Sequence, residues 1–502
     1  MTKSDPMKVK GLLSALLCFC LLLSLTALGE EAAPESLPAD NLIDTRHSVM
    51  IEGKQVDYTA TAGTMLMDTA QGQCEVFYVA YTADQAEDSA KRPITFAFNG
   101  GPGCASVWLH LGLLGPERVA LSEDGMVERV PARTVANEYS ILDMTDLVII
   151  DPVGTGFSRA LPGTDESVYY NLKGDNASVG DFIGQYVRRH DRWASPKYII
   201  GESYGTVRAV GVCDYLLNTY HMNLNGMILI SSANDFGAFV SSVGNDLPYV
   251  NLLPTFAAAA RYHKRVDEKY QVMPLEDYLD EVKDFAAGEY QLALYQGSRL
   301  DADEQDAVAQ RLSDYIGLDK DFILERNLRV STGDFCAALL GDQKLTVGRF
   351  DSRYTGPVLE GSLEDGTSDP SSVGLTEAFI SAFNDYVVQA LGYRTDRLYI
   401  ETNFAVDEQW SYDSDGAAFA QEDLIRNCMS ANPFLKIWVI GGYYDLATPF
   451  FSAEWIFSHV FLNDALKENL SFSRFPTGHM FYLSEPALRQ FRADAKAWYG
   501  VE

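Results

Sequence analysis

"IIGESYGTVRA", Ile199–Ala209, decides how the chain folds. An apolar run stops at Gly201, a serine follows two residues later, and Gly205 opens a stretch that reads as helix. Glycines on both sides of a serine fit a strand–turn–helix so tight that neighbouring side chains would clash. Gly201-Glu202-Ser203-Tyr204-Gly205 has the G-x-S-x-G form of a nucleophile elbow. Such a turn lifts the serine hydroxyl out of the sheet. It also aims the next backbone N–H, that of Tyr204, at an oxygen that becomes negative during acyl transfer.

Other runs follow the same plan. "ITFAFNG" (94–100), "DLVIIDPVG" (146–154), "GMILISSA" (226–233) and "KIWVIGGYYD" (436–445) are short, unbroken apolar stretches ending in turns. Longer helical text such as "NASVGDFIGQYVRRHDRWA" (176–194) lies between them. Buried strands alternating with helices predict an α/β fold with a mostly parallel sheet. Before them, from Ser48 to Tyr81, short alternating pieces separated by Asp, Gly and Gln turns predict an antiparallel part. After about Asn234 the sheet-like runs stop, and helical text such as "EQDAVAQRLSDYIGL" (304–318) takes over until "KIWVIGG". The expected organisation is a first core segment over 46–233, a mainly helical insertion or lid over 234–392, and a second core segment over 393–502.

The N-terminus reads as a secretory signal peptide over 1–29. Lys3, Lys8 and Lys10 precede an apolar stretch from Leu12 to Leu28, and Ala27-Leu28-Gly29 offers small residues for cleavage. The stretch is short for a membrane anchor and contains serines. Leu17 and Phe19 are poor residues to precede a lipidated cysteine. The expectation is therefore an exported protein, secreted or periplasmic, with no stable membrane insertion after cleavage. A flexible lead-in is expected over 30–45. Export leaves Cys74, Cys104, Cys213, Cys336 and Cys428. Five is an odd number, so at least one thiol is free or pairs between chains. One disulfide within the chain is open, with partners that spacing does not fix. No C-x-x-C pair occurs, so no metal site is expected. The net charge of −31 over 502 residues excludes a nucleic-acid backbone as partner.

A serine hydroxyl needs a base, and on this architecture the order is serine, acid, histidine. "WVIGGYYDLATP" (438–449) places Asp445 just past a strand, and "FPTGHMFY" (475–482) places His479 after a glycine. Of seven histidines only His459 and His479 follow Asp445, and His459 lies in apolar helical text. His479 is thus the expected base and Asp445 its orienting partner. "FNGGPGCAS" (98–106) follows a strand and supplies bare backbone for a second oxyanion donor. A phosphate loop is excluded because its lysine and Ser/Thr are missing.

Asn99-Gly-Gly-Pro-Gly-Cys104, Asp151-Pro-Val-Gly-Thr-Gly-Phe-Ser158, Gly201–Gly205, Asp445 and Gly478-His-Met480 together resemble the serine carboxypeptidase family. The resemblance implies an α/β-hydrolase fold with a helical insertion over the site. It implies removal of C-terminal residues from peptides through an acyl-enzyme, with no metal or organic cofactor. By that resemblance Ser203 is the nucleophile, and Gly101 and Tyr204 are the oxyanion donors. Asn99 and Glu202 bind the substrate's free C-terminal carboxylate. Two departures stand out. Leu113 occupies the position of a second glutamate that many members carry, and Thr448 replaces a cysteine near the catalytic aspartate. Cys104 matches a motif cysteine that is often disulfide-bonded in relatives. An esterase or acyltransferase on the same site is the alternative activity, and a binding protein with a retired site is a further one. Side-chain preference and oligomeric state are not encoded in these motifs.

Overall fold

The structure is a computed structural model that describes residues 40–84, 90–358, 369–412 and 419–500. The expected signal peptide and the lead-in as far as residue 39 lie outside the described residues. A ten-stranded mixed sheet runs in the order β1-β2-β3-β7-β4-β9-β10-β13-β14, with β8 pairing beside β3. Its strands are β1 (Asn41–Ile51), β2 (Lys54–Thr69), β3 (Gly72–Ala83), β4 (Ile94–Phe98), β7 (Asp146–Ile150), β8 (Arg159–Ala160), β9 (Lys197–Glu202), β10 (Gly226–Ile230), β13 (Lys436–Gly442) and β14 (Leu470–Phe475). Two short ribbons, β5–β6 (Glu117–Val119 with Thr134–Ala136) and β11–β12 (Leu345–Val347 with Thr355–Pro357), stand apart from it.

The two halves of the sheet differ as their sequences do. β1, β2, β3 and β7 pair antiparallel in turn, whereas β7, β4, β9, β10, β13 and β14 all pair parallel. Every residue of β4, β7 and β10 is buried, as continuous apolar strands covered on both faces must be. Alternate side chains feed two cores. Ile200, Ile228, Ile230, Trp438 and Ile440 enter one, and Ile199, Met227, Leu229, Ile437 and Val439 enter the other. The N-terminal antiparallel part expected from Ser48 begins earlier. Asn41–Thr45 pair with Thr64–Ala60, so these five residues of the expected lead-in are strand. The physical reason is the length of β2. Its 16 residues offer a ladder along which β1 continues to Asn41.

Helices α1 (Leu172–Arg189) and α2 (Tyr204–Tyr215) cover the second core. The stretch 234–392 contributes no strand to the central sheet among the described residues. It carries helices α3 (Leu247–Tyr262), α4 (Leu275–Phe285) and α5 (Ala302–Ile316), whose apolar faces form a separate cluster with Tyr443, Tyr444, Leu446 and Phe450. Its last long helix behaves differently. α6 (Leu375–Gln389) sets Phe379 and Phe383 into the first core, against Trp108 and Tyr399. Its apolar side chains recur every three to four residues, and that stripe is buried on the sheet domain. The helices that follow include α7 (Phe450–Ser458) and α8 (Glu485–Tyr499). No helix of the described residues is long and apolar enough to cross a membrane.

Candidate active site

Ser203 sits where β9 turns into α2, with φ 58° and ψ −128°. A non-glycine residue there is strained, and the surrounding turn must hold it. Its N–H donates to the Ile230 carbonyl at 2.9 Å, tying the turn to the neighbouring strand. Ser203 is half-buried while Glu202 and Tyr204 on either side are buried. The flanking glycines are required sterically. A Cβ on Gly201 would lie 2.2 Å from the Gly205 carbonyl oxygen, and one on Gly100 would lie 2.5 Å from the Tyr204 nitrogen. The second contact brings the glycine loop after β4 directly against the amide following Ser203. Gly101, next in that loop, is exposed at φ 105°.

Asp445 follows β13 and His479 follows β14, so both lie beyond the carboxyl ends of the strands, the end at which Ser203 follows β9. His479 Nδ1 donates to Asp445 Oδ2 at 2.8 Å. Asp445 is fully buried, and its other oxygen accepts the N–H groups of Ala447 (2.8 Å) and Thr448 (3.0 Å). Thr448 adds its hydroxyl to Oδ2 at 2.7 Å. The residue that departs from the family pattern therefore helps to fix the carboxylate. Burial pulls the His479 imidazole towards neutrality, but the Asp445 carboxylate and then Glu202 outweigh it and leave its pKa above the usual value. The loop bearing His479 is clamped on two sides. Its N–H donates to the Phe350 carbonyl at 2.6 Å, and its carbonyl accepts the Ser231 hydroxyl at 2.7 Å. Gly478 N–H donates to Asp351 Oδ2 at 2.9 Å. His459, the other late histidine, caps α7 with its ring stacked on Trp455.

Asn99 and Glu202 meet. The Asn99 amide donates to Glu202 Oε2 at 3.1 Å, while Asn99 Oδ1 accepts the Leu109 N–H at 2.9 Å, which fixes which way the amide faces. Burial pushes the Glu202 carboxyl up to about 7, against the pull of His479, Tyr482 and Asn99. A carboxylic acid with that pKa is about half neutral at pH 7 and mostly neutral below it, and its neutral form can donate a hydrogen bond.

Several residues that the sequence reading did not single out support these groups. Tyr482 donates its phenol hydrogen to Glu202 Oε2 at 2.7 Å. Arg208, buried on α2, pairs with Asp175 at 2.8 Å and donates to the Asn99 carbonyl. Tyr204 also donates to Asp175, at 3.0 Å. A lone arginine in the otherwise apolar text "YGTVRAVGVC" was the available signal for this bolt. Asp151, first residue of the DPVGTGFS motif, accepts the Ser106 N–H at 2.8 Å and holds the end of the glycine loop. Leu113, by contrast, lies in the apolar core. All five described cysteines are free thiols, Cys104 included, so the open question of a disulfide is answered here by none.

The family model described as serine carboxypeptidase matches residues 52–474. A carboxypeptidase Y homolog of Arthroderma benhamiae is 29% identical over 206 residues, covering 39% of this chain and 38% of that protein. Serine carboxypeptidase-like 28 of Arabidopsis thaliana is 26% identical over 199 residues, covering 37% of this chain and 38% of that protein. The matches thus span about two fifths of the length of these curated relatives. Among solved structures, a prohormone-processing carboxypeptidase of Saccharomyces cerevisiae, Kex1Δp, superposes with a TM-score of 0.55 at 16% identity, over 88% of this chain and 91% of that one. That likeness and the mixed sheet establish the α/β-hydrolase fold. With the family model spanning most of its length, the chain belongs to the serine carboxypeptidase family.

Proposed function

We propose that this protein is a serine carboxypeptidase that releases C-terminal residues from peptides through an acyl-enzyme on Ser203. The observation that carries the reading is the hydrogen-bonded Asn99–Glu202 pair, adjoining the Ser203 elbow and coupled electrostatically to His479. A neutral Glu202 and the Asn99 amide give two donors for a terminal carboxylate, beside the serine that would attack the last peptide bond. The Ser203 oxygen adds to the scissile carbonyl and its proton passes to His479 Nε2. Asp445, bonded to Nδ1, stabilises the imidazolium. The N–H groups of Gly101 and Tyr204 meet the oxyanion. Collapse breaks the C–N bond, and His479 returns the proton to the leaving amine. Water, activated by the same histidine, then frees Ser203. The mainly helical insertion of 234–392 roofs this site as a lid in this reading, and the N-terminal signal directs export to a secreted or periplasmic location.

The test combines labelling with substrate choice. Wild-type protein is expected to react with a fluorophosphonate probe and to remove single residues from peptides with free C-termini, but not from amidated ones. Ser203→Ala is expected to abolish labelling and lower turnover by several orders of magnitude while the protein stays folded. Near-normal turnover by folded Ser203→Ala would refute the mechanism.

A further inference from the structure

Glu202 receives its two described donors on one oxygen. Tyr482 Oη lies 2.7 Å and Asn99 Nδ2 3.1 Å from Oε2. A neutral carboxylic acid has one carbonyl oxygen, which accepts, and one hydroxyl, which donates. Two donors on Oε2 make it the accepting oxygen and place the acid's proton on Oε1. We propose that Tyr482 is a positioning residue for terminal-carboxylate recognition: with Asn99 it holds Oε2 of Glu202 as the acceptor, so that Oε1 carries the proton offered to the substrate's carboxylate. The proposal rests on the reading of Asn99 and Glu202 as the carboxylate-binding pair.

The packing shows that the phenol is held in place. Tyr482 is 2% exposed and its ring lies across Gly112, where a Cβ would sit 2.5 Å from the ring carbons. It stands in the short helical turn Phe481–Leu483, directly after His479 and Met480, and Phe481 stacks on Phe475 with ring centroids 4.8 Å apart. The loop that carries the histidine therefore also carries the donor to Glu202. The other titratable groups that act on Glu202 or flank it are His479 and Asp445 beyond the strand ends and Cys104 in the glycine loop. The Arg208–Asp175 pair stands behind Asn99. None of them donates to Oε2 among the described residues. Tyr482 also favours the ionised form of Glu202, so losing its hydrogen bond raises the pKa of that acid.

Tyr482→Phe keeps the ring and removes only the donor. On peptides with free C-termini, KM at pH 5 is expected to rise about threefold to tenfold, matching the loss of one hydrogen bond, with kcat within about twofold of wild type. The alkaline limb of kcat/KM is expected to move to higher pH, because Glu202 stays protonated longer. An ester substrate lacking the terminal carboxylate should show neither change. Replacing Tyr482 by 3-fluorotyrosine, a stronger donor of nearly the same shape, should move the alkaline limb the other way. A variant whose KM and alkaline limb match wild type, or one that lowers peptide and ester turnover equally without moving the limb, overturns the proposal. Glu202→Gln separates the two readings. If it leaves the alkaline limb in place, the carboxylate-binding pair itself is wrong. If it flattens the limb while neither Tyr482 variant moves it, only the role of Tyr482 falls.

Discussion

In the proposed mechanism, the protonation states of Glu202 and His479, each of which acts electrostatically on the other, set the pH behaviour of this site. Glu202 protonated with His479 neutral binds a carboxylate and leaves a base ready. The same proton on His479 gives an ionised acid that repels the substrate and an imidazolium that cannot deprotonate Ser203. Burial favours the first arrangement by pushing Glu202 up to about 7, whereas Asp445 and Glu202 pull the proton towards His479. The incoming carboxylate tips the balance, since a second anion beside Glu202 raises its pKa further. With Glu202 as the proposed donor to a terminal carboxylate, substrate binding is expected to be complete below the pKa of Glu202 in the complex and to be lost as pH rises through it. Wild-type KM for free peptides is therefore expected to climb on the alkaline side of about pH 7. Glu202→Gln carries an amide that donates at any pH, so a pH series of KM should flatten. An alkaline climb that survives in Glu202→Gln would show that another group causes it.

The elements divide into those that local pattern reveals and those that tertiary contact creates. β4, β7, β9, β10 and β13 are readable because continuous apolar runs ending in turns have few alternatives, and the elbow is readable because a serine follows the glycine that stops such a run. The antiparallel part was legible from its alternation, but its start was not, because Asn41–Thr45 are strand only through their ladder with β2. α6 falls in text that reads as insertion, and nothing local marks the partner its apolar stripe selects. At the site, Ser203, Asp445 and His479 had order and turn residues to announce them. Tyr482 had none, since it acts through Glu202, a partner far along the chain. The bolt behind α2 shows what such contacts are worth. Arg208 and Asp175 are 1% and 5% exposed in their side chains, and the guanidinium lies 5.1 Å from the Tyr204 ring centre. Removing one member leaves a buried unpaired charge, which costs about 3–5 kcal/mol. Asp175→Ala is expected to lower the denaturation midpoint accordingly. The double variant Asp175→Leu/Arg208→Met should recover much of that loss while leaving the Asn99 carbonyl without its donor. Chemical denaturation of the three proteins measures both effects, and equal stability for Asp175→Ala and wild type would show that the pair is not the bolt described here.

At the scale of the whole molecule, the histidine loop is where the insertion and the sheet domain meet. Asp351 and Phe350 belong to the inserted stretch, yet they bond the backbone of Gly478 and His479. Asp351 is itself held by Arg353 at 2.6 Å, and Arg353 in turn donates to the Pro476 carbonyl at 2.9 Å. Ser231, from the sheet domain, completes the grip on the His479 carbonyl. The imidazole is thus positioned by two bodies at once, so the inserted stretch is expected to govern the chemical step as well as access to the site. Asp351→Ala removes the acceptor of the Gly478 N–H and frees Arg353, with no loss of any group proposed to touch substrate. A displacement of the base by a fraction of an ångström weakens proton transfer, and misplacement of about 1 Å costs on the order of 100-fold. The expected result is a fall in kcat of about tenfold or more, with KM for free peptides changed by less than about threefold and the pH limb set by Glu202 left in place. Steady-state kinetics at several pH values distinguish this from a lid defect, which would change KM first. If Asp351→Ala raises KM and spares kcat, the inserted stretch serves access alone, and Ser231 and Asp445 suffice to hold His479.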